Sequence, residues 1–159
     1  MPTTNDHLAL ALHNLQTLTH ISSKKEFSDW IVTISAYTAL HLLEAIIYNN
    51  SNDSIRYDHC IDHRMREDIF KKCYPTIWKK YRPLMSASKV ARYLKYEKEE
   101  DGQTFTGYYS YDIVCNILYK KDLAGVLNQV KTHISDDGLF TDIEAEFLKC
   151  KTTLEKNLN

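Results

Sequence analysis

Two short stretches of this chain concentrate the side chains that move protons and hold phosphates. "YTALHLLEAIIYNN", Tyr37 to Asn50, carries His41 inside an otherwise apolar segment. "YDHCIDHRMRED", Tyr57 to Asp68, holds His59, His63, Arg64 and Arg66 within a few residues. Histidine suits proton transfer because its pKa lies near neutrality. Arginine suits phosphate charge because its fork grips two oxygens at once. Together they could cut a phosphodiester beside a 2′-hydroxyl without a metal, with a base at the hydroxyl, a donor for the leaving 5′-oxygen and a cation for the phosphorane. On a helix, His63 and Arg66 are three residues apart and share a face. His41 sits at the edge of its segment's apolar stripe, where it could meet that face, and Glu44 could orient it. An arginine near a helix N-terminus gains nothing from the macrodipole, which favours another role for Arg66. The plainer readings are a core histidine bonded to a tyrosine, and a solvated charge run at a helix start.

A metal site is the rival use of the same residues. His59 and His63 are four apart, with Asp58, Cys60 and Asp62 adjacent, and two histidines at that spacing chelate zinc when both are helical. If Asp62 caps the helix, His59 falls outside it and the pair separates. No motif fixes a third ligand, so neither metal nor other cofactor is expected. The four cysteines are widely spaced, with no CxxC pair, and read as free, mostly buried thiols of a reducing cytosol. The GxxxxGK[ST] and GxGxxG phosphate loops are absent, as is the GxSxG elbow.

The positioning elements read as helices. Glycines number four and prolines three in 159 residues, so breakers are few. Leu8, Leu12, Leu15 and Leu18 or Thr19 mark a first amphipathic helix. From about Lys24 to Asn50, Phe27, Ile31, Ile34, Thr38, Leu42 and Ala45 fall on one stripe, with Trp30, Tyr37, His41 and Tyr48 beside it. "NNSNDS" makes a polar loop. Asp62 serves as N-cap of a third helix to about Tyr74, Pro75 interrupts it, and Pro83 starts a further segment through Tyr96. After "KEEDGQTFTG", a long helix spans Tyr111 to His133, its apolar positions being Ile113, Ile117, Leu118 or Lys121, Ala124, Leu127 and Val130 or Lys131. "SDDG" breaks it, and a last helix runs from about Leu139 to Leu154. Only "QTFTGYYSY" offers a short strand. The expectation is an all-α, up-and-down bundle of four to five helices forming one domain over residues 1–159.

Composition is that of an ordinary globular chain, 43% apolar and 26% charged, with net charge −1. With no run of eighteen apolar residues and no basic leader before the first apolar segment, neither a membrane span nor a signal peptide is expected, and the setting reads as cytoplasmic. Charge is uneven, however. Between Arg64 and Lys95 lie ten Lys and Arg against Glu67 and Asp68, a local excess of +8. Tyr74, Trp78, Tyr81, Tyr93 and Tyr96 are interleaved with these cations. That mixture suits phosphate contact with base stacking, and equally a solvated helix face whose aromatics point inward.

These residues carry a resemblance. Tyr37-Ala39-His41 as YxAxH, His63-Arg66 as HxxR, and Tyr81-Leu84-Ser88-Ala91-Arg92-Tyr93 as YxxLxxxSxxARY are similar to the motifs of small bacterial HEPN-like proteins, over about residues 25 to 96. The resemblance implies a bundle of four or five helices, usually dimeric. Many members are metal-independent endoribonucleases of toxin–antitoxin or antiphage systems, with a catalytic Arg, four to six residues, then His. Arg56 and His63 match that spacing. Carried over, His63 is the general acid or base, Arg66 stabilises the phosphorane, His41 or Arg56 completes the site, and Lys89, Arg92, Tyr93 and Tyr96 contact RNA. An antitoxin or nucleotidyltransferase is the implied protein partner. The alternative is a catalytically inert helical module that pairs with itself or another protein, or senses a nucleotide.

Overall fold

The computed structural model describes residues 2–49, 63–93, 109–134 and 138–158. Among them there are six helices and no strand. Helix α1 spans Thr4–Ile21, and a single 3-10 turn, Lys25–Phe27, leads into α2, Ser28–Asn49. Helix α3 is His63–Cys73 and α4 is Pro75–Tyr93. Helix α5 runs without interruption through an α-turn, Tyr111–Ile113, a π-helical stretch, Val114–Leu123, and a final α-segment, Ala124–Lys131. Helix α6 is Gly138–Lys156. The expected third helix is α3; its expected N-cap Asp62, the extension of α4 to Tyr96 and most of "QTFTGYYSY" lie outside the described residues.

Local chemistry explains the visible boundaries. Thr3 caps α1 by accepting from the Asp6 amide at 3.2 Å, while the Asp6 carboxylate takes the Thr3 amide at 2.7 Å, a capping box. Pro75 stands at the first position of α4, where a missing N–H costs nothing, so it separates α3 from α4 and starts the second. Pro83 was expected to begin a helix. It lies inside α4 instead. Its lost bond is the one to the Lys79 carbonyl, and Lys79 is exposed to solvent, so the break is tolerated on the wet side while Tyr81, Leu84 and Met85 stay buried.

Helix α2 is the hub, packed against α1, α4 and α5. Ile31, Val32, Ala39, Leu42, Leu43, Ala45 and Ile46 are wholly excluded from solvent or nearly so. Lys25–Asn49 is long and apolar enough to cross a membrane by length and composition, but most of its apolar surface is spent inside the bundle. One line of α2 stays open. Phe27, Trp30 and Tyr37 are exposed, at 41, 62 and 38%, and Ile34 and His41 are half-buried. Phe27 was expected on the core stripe with Ile34, which does pack against the core from the edge of this line. The helix is buried on nearly every other side, so the face left over is the one they share with the aromatics.

Helix α5 buries the expected Leu118, Leu127 and Val130 but departs from the expected face at its start. Ile113 and Ile117 are exposed, at 40 and 46%, whereas Val114, Cys115, Leu118, Tyr119, Leu123, Val126 and Val130 are buried. Ordinary α-periodicity does not hold through the π-helical stretch. Wider turns bring the rows 114–118–122 and 115–119–123 onto the core together, and Asp122 is carried in with them. Tyr119 then stacks on Phe147 of α6 with centroids 4.7 Å apart. Gly125 makes room for α4, since a Cβ there would meet the Lys80 side chain at 2.9 Å. Cys115 and Cys150 are buried free thiols and Cys73 is exposed. Burial pushes the Cys115 thiol up to about 11 and raises that of Cys150, which keeps both unreactive.

Candidate functional site: a buried ion pair beneath a basic groove

The chemistry-bearing side chains divide into an inner and an outer set. The inner set begins with Glu44, one turn from His41 on the hub helix and 1% exposed. A carboxylate there needs a cation, and α3 supplies it. Arg66 turns inward, is itself buried, and its Nε donates to Glu44 Oε1. Arg66 also lies close enough to Tyr81 on α4 to act on its hydroxyl, whose burial raises its pKa well above the ordinary value. The second Glu44 oxygen, Oε2, is buried without a hydrogen-bond partner among the described residues.

His41 stands beside this pair. Its Nδ1 lies 3.2 Å from the Nδ1 of His7, so the two rings hold opposite tautomers at that contact, one donating and one accepting. His7 is buried and stacks on Tyr48 with centroids 5.2 Å apart. Burial is the main force on His41, with His7 next and Arg66 also acting against a second positive charge. Glu44 opposes them, and the pKa comes down to about 4. His41 is therefore neutral near pH 7.

The outer set covers α3 and α4. Between the two helices lies an open groove of about 250 Å³, with Lys71, Arg82 and Lys89 at its walls and Trp78 beneath. The Lys71 ammonium sits 4.9 Å from the Trp78 ring centroid. One acid enters the groove. Glu67 reaches Lys71 at 3.4 Å through one oxygen and Lys89 at 3.9 Å through the other. Met85 also lines a narrow crevice between α2 and α4, bordered by Tyr37, Ser88 and Arg92. Arg92 donates from Nη1 to the Tyr37 hydroxyl at 3.0 Å and to that of Tyr93 at 3.4 Å, lying 5.4 and 4.8 Å from the two ring centroids. Ser88 is 1% exposed, and its hydroxyl has no partner among the described residues.

Arg66 and His41 thus come together, but through Glu44, which pairs with Arg66 where the sequence suggested a role orienting His41. His63 opens α3, one turn before Glu67 and two before Lys71. Lys89 and Arg92 are half-buried on the outer side of α4, and Tyr93 is exposed. Arg56, Tyr96 and the zinc candidates Asp58, His59, Cys60 and Asp62 lie outside the described residues. Among the described residues no group of three or more His, Cys, Asp or Glu is placed to hold a metal. His7 was missed. Its signal was its place among Leu8, Ala11, Leu15 and Leu18 on the buried face of α1, where a histidine needs a polar neighbour. The chain has no significant match among protein-family models, curated proteins or solved structures.

Two expectations follow from this geometry. Arg66→Met leaves Glu44 buried without its cation and should cost about 3–5 kcal/mol of stability, whereas the double change with Glu44→Met should recover much of that loss. Urea denaturation of the single and double variants reads this directly, and simple additivity of the two losses would contradict the pairing. The second concerns pH. The folded-state pKa of His41, about 4, lies below the ordinary 6.5. Between those values the unfolded chain binds the proton and the folded one does not, so the His41 contribution to stability is complete above about 6.5 and falls as the pH drops towards 4. Replacing His41 by Asn should flatten the stability profile across that window. An unchanged slope in the variant would remove His41 as its source.

Proposed function

We propose that this protein is a HEPN-like domain that binds single-stranded RNA along α3 and α4 and cleaves it without a metal, in the setting of a toxin–antitoxin or antiphage system. The observation that carries the reading is the groove in which Lys71 and Lys89 meet one carboxylate beside Trp78, with Arg82 also at its wall and Arg92, Tyr37 and Tyr93 further along the same surface. Cations with accessible rings are what a phosphate backbone and unstacked bases require.

In this reading the roles divide by depth. Arg66 is a positioning residue, whose ion pair with Glu44 fixes α3 and so the place of His63 at its start. His63 carries the proton transfer: the 2′-oxygen attacks the adjacent phosphorus, its proton is taken up, the P–O5′ bond breaks and the 5′-oxygen is protonated. The products are a 2′,3′-cyclic phosphate and a 5′-hydroxyl. His41, neutral near pH 7 and so able to offer a hydrogen-bonding ring, or Arg56 completes the site. Lys89 and Arg92 hold the backbone, with Tyr93 and Tyr96 against the bases. The inward commitment of Arg66 favours a second reading, a module that binds RNA or a nucleotide without cutting it.

The exposed line of α2 supports assembly into a homodimer. Phe27, Trp30, Ile34, Tyr37 and His41 recur at intervals of three and four, the seam pattern of paired helices. Two-fold pairing centred near Ile34 would lay Trp30 on the partner's Tyr37 and the partner's Arg92, and would bring Glu26 towards that cation. Light scattering of the wild type should give twice the chain mass, and Trp30→Asp should give a monomer of unchanged helicity. A monomeric wild type at tens of micromolar sinks the dimer.

For the chemistry, His63→Ala should lose at least about a hundredfold in RNA cleavage while keeping fold and most binding, the usual worth of one positioned acid or base. Wild-type cleavage should persist in chelator and should vanish when the scissile 2′-hydroxyl is replaced by hydrogen. Full activity of His63→Ala, or a strict need for a divalent ion, would refute the mechanism. RNA binding without any cleavage would move the assignment to the second reading. Lys89→Ala with Arg92→Ala should weaken binding and flatten its salt dependence.

A further inference from the structure

Glu67 is out of place in a surface built to hold anions. Residues 63–93 carry nine Lys and Arg and two acids, Glu67 and Asp68. Asp68 faces solvent on α3, away from the groove walls. Glu67 enters the groove and spreads its two oxygens over Lys71 and Lys89, one from its own helix and one from α4. It stands one turn beyond His63 and one turn before Lys71.

A carboxylate divided between two ammonium groups occupies the position a phosphate would take. It has two oxygens at hydrogen-bonding or ion-pairing range and one negative charge. A phosphodiester offers the same number of free oxygens, and a terminal phosphate offers more oxygens and more charge. The two lysines are thereby held at the groove before any ligand arrives, and Arg82 remains at the wall as a third cation. Trp78 lies under Lys71, so moving the ammonium onto a ligand uncovers an indole face against which a base can stack.

We propose that Glu67 is a built-in competitor for this phosphate-binding groove: it holds Lys71 and Lys89 at rest, and a phosphate group must displace it to bind. This deepens the RNA-binding reading by naming the subsite for the phosphate and the group that sets its affinity. The competitor raises the threshold for weak, singly charged anions more than for a polyanion, because only the latter regains several ion pairs at once. No covalent step is involved.

The test uses the whole chain and two ligands, inorganic pyrophosphate and oligouridine, titrated at low salt into wild type, Glu67→Gln and Asp68→Asn. Both variants remove one negative charge from neighbouring positions of α3, but only the first opens the groove. Removing the competing carboxylate should tighten binding by roughly two- to thirtyfold in Glu67→Gln, the worth of two exposed ion pairs, with Asp68→Asn close to wild type. Lys71→Ala added to Glu67→Gln should cancel most of the gain. Amide shifts of wild type titrated with pyrophosphate should concentrate on Glu67, Lys71, Trp78 and Lys89, which needs no variant to fold. Equal affinity of Glu67→Gln and Asp68→Asn, or weaker binding by Glu67→Gln, overturns the proposal, as do shifts centred elsewhere. If oligouridine fails to bind while pyrophosphate follows the expected order, the RNA reading falls and the competitor stands. If RNA binds and the two variants match, the competitor falls and the RNA reading stands.

Discussion

The ion pair between Glu44 and Arg66 governs the rest of the arrangement. A carboxylate on the most enclosed helix of the bundle carries a desolvation cost of several kcal/mol, which only a close, well-directed cation offsets. Arg66 provides it, with Tyr81 as a further contact, so three helices meet at one charged point. Helix α3 is short and strongly polar, and it anchors itself through Ile69 and Phe70, with Met65 against the core, and through Arg66. Its register on α2 and α4 must satisfy both the apolar anchors and the reach of Arg66.

The outer surface depends on that register. With Arg66 turned inward, Glu67 and Lys71 face α4 across the groove, opposite Arg82 and Lys89. The same placement brings positive charge near His41, and together with burial and the close approach of His7 it keeps that ring neutral. Structural and chemical demands meet in neighbouring residues of one helix turn: Arg66 is committed to the fold, while Glu67 is left for the solvent side.

The hub helix imposes a second constraint. Packing against α1, α4 and α5 leaves α2 a single open line, and the residues on it are large and mostly aromatic. These side chains recur at intervals of three and four, so they form one line along the helix and not scattered exposures. The line ends at the Arg92 cluster, so an assembly through α2 and a ligand on α4 would share an edge.

The sequence by itself determined the helical class, the punctuation at Pro75 and between α5 and α6, and the concentration of cations with aromatics on α3 and α4. These follow from local composition and breaker positions, which need no knowledge of neighbours. It also marked His41 and Arg66 as residues with work to do. Only the tertiary structure decided which way they turn. Periodicity gives the angle between side chains on one helix but no reference for the direction of the core. Phe27 was therefore assigned inward, and the exposed Ile113 and Ile117 were taken for the buried face of a helix whose π-turns change the angle per residue. Glu44 was within sight of His41 along the chain, yet its partner came from α3, twenty-two residues away, and His7 reached His41 from thirty-four. Pairings at such separations are set by how helices pack, because burial determines which charge must be neutralised and the packed geometry determines which side chain is close enough to do it.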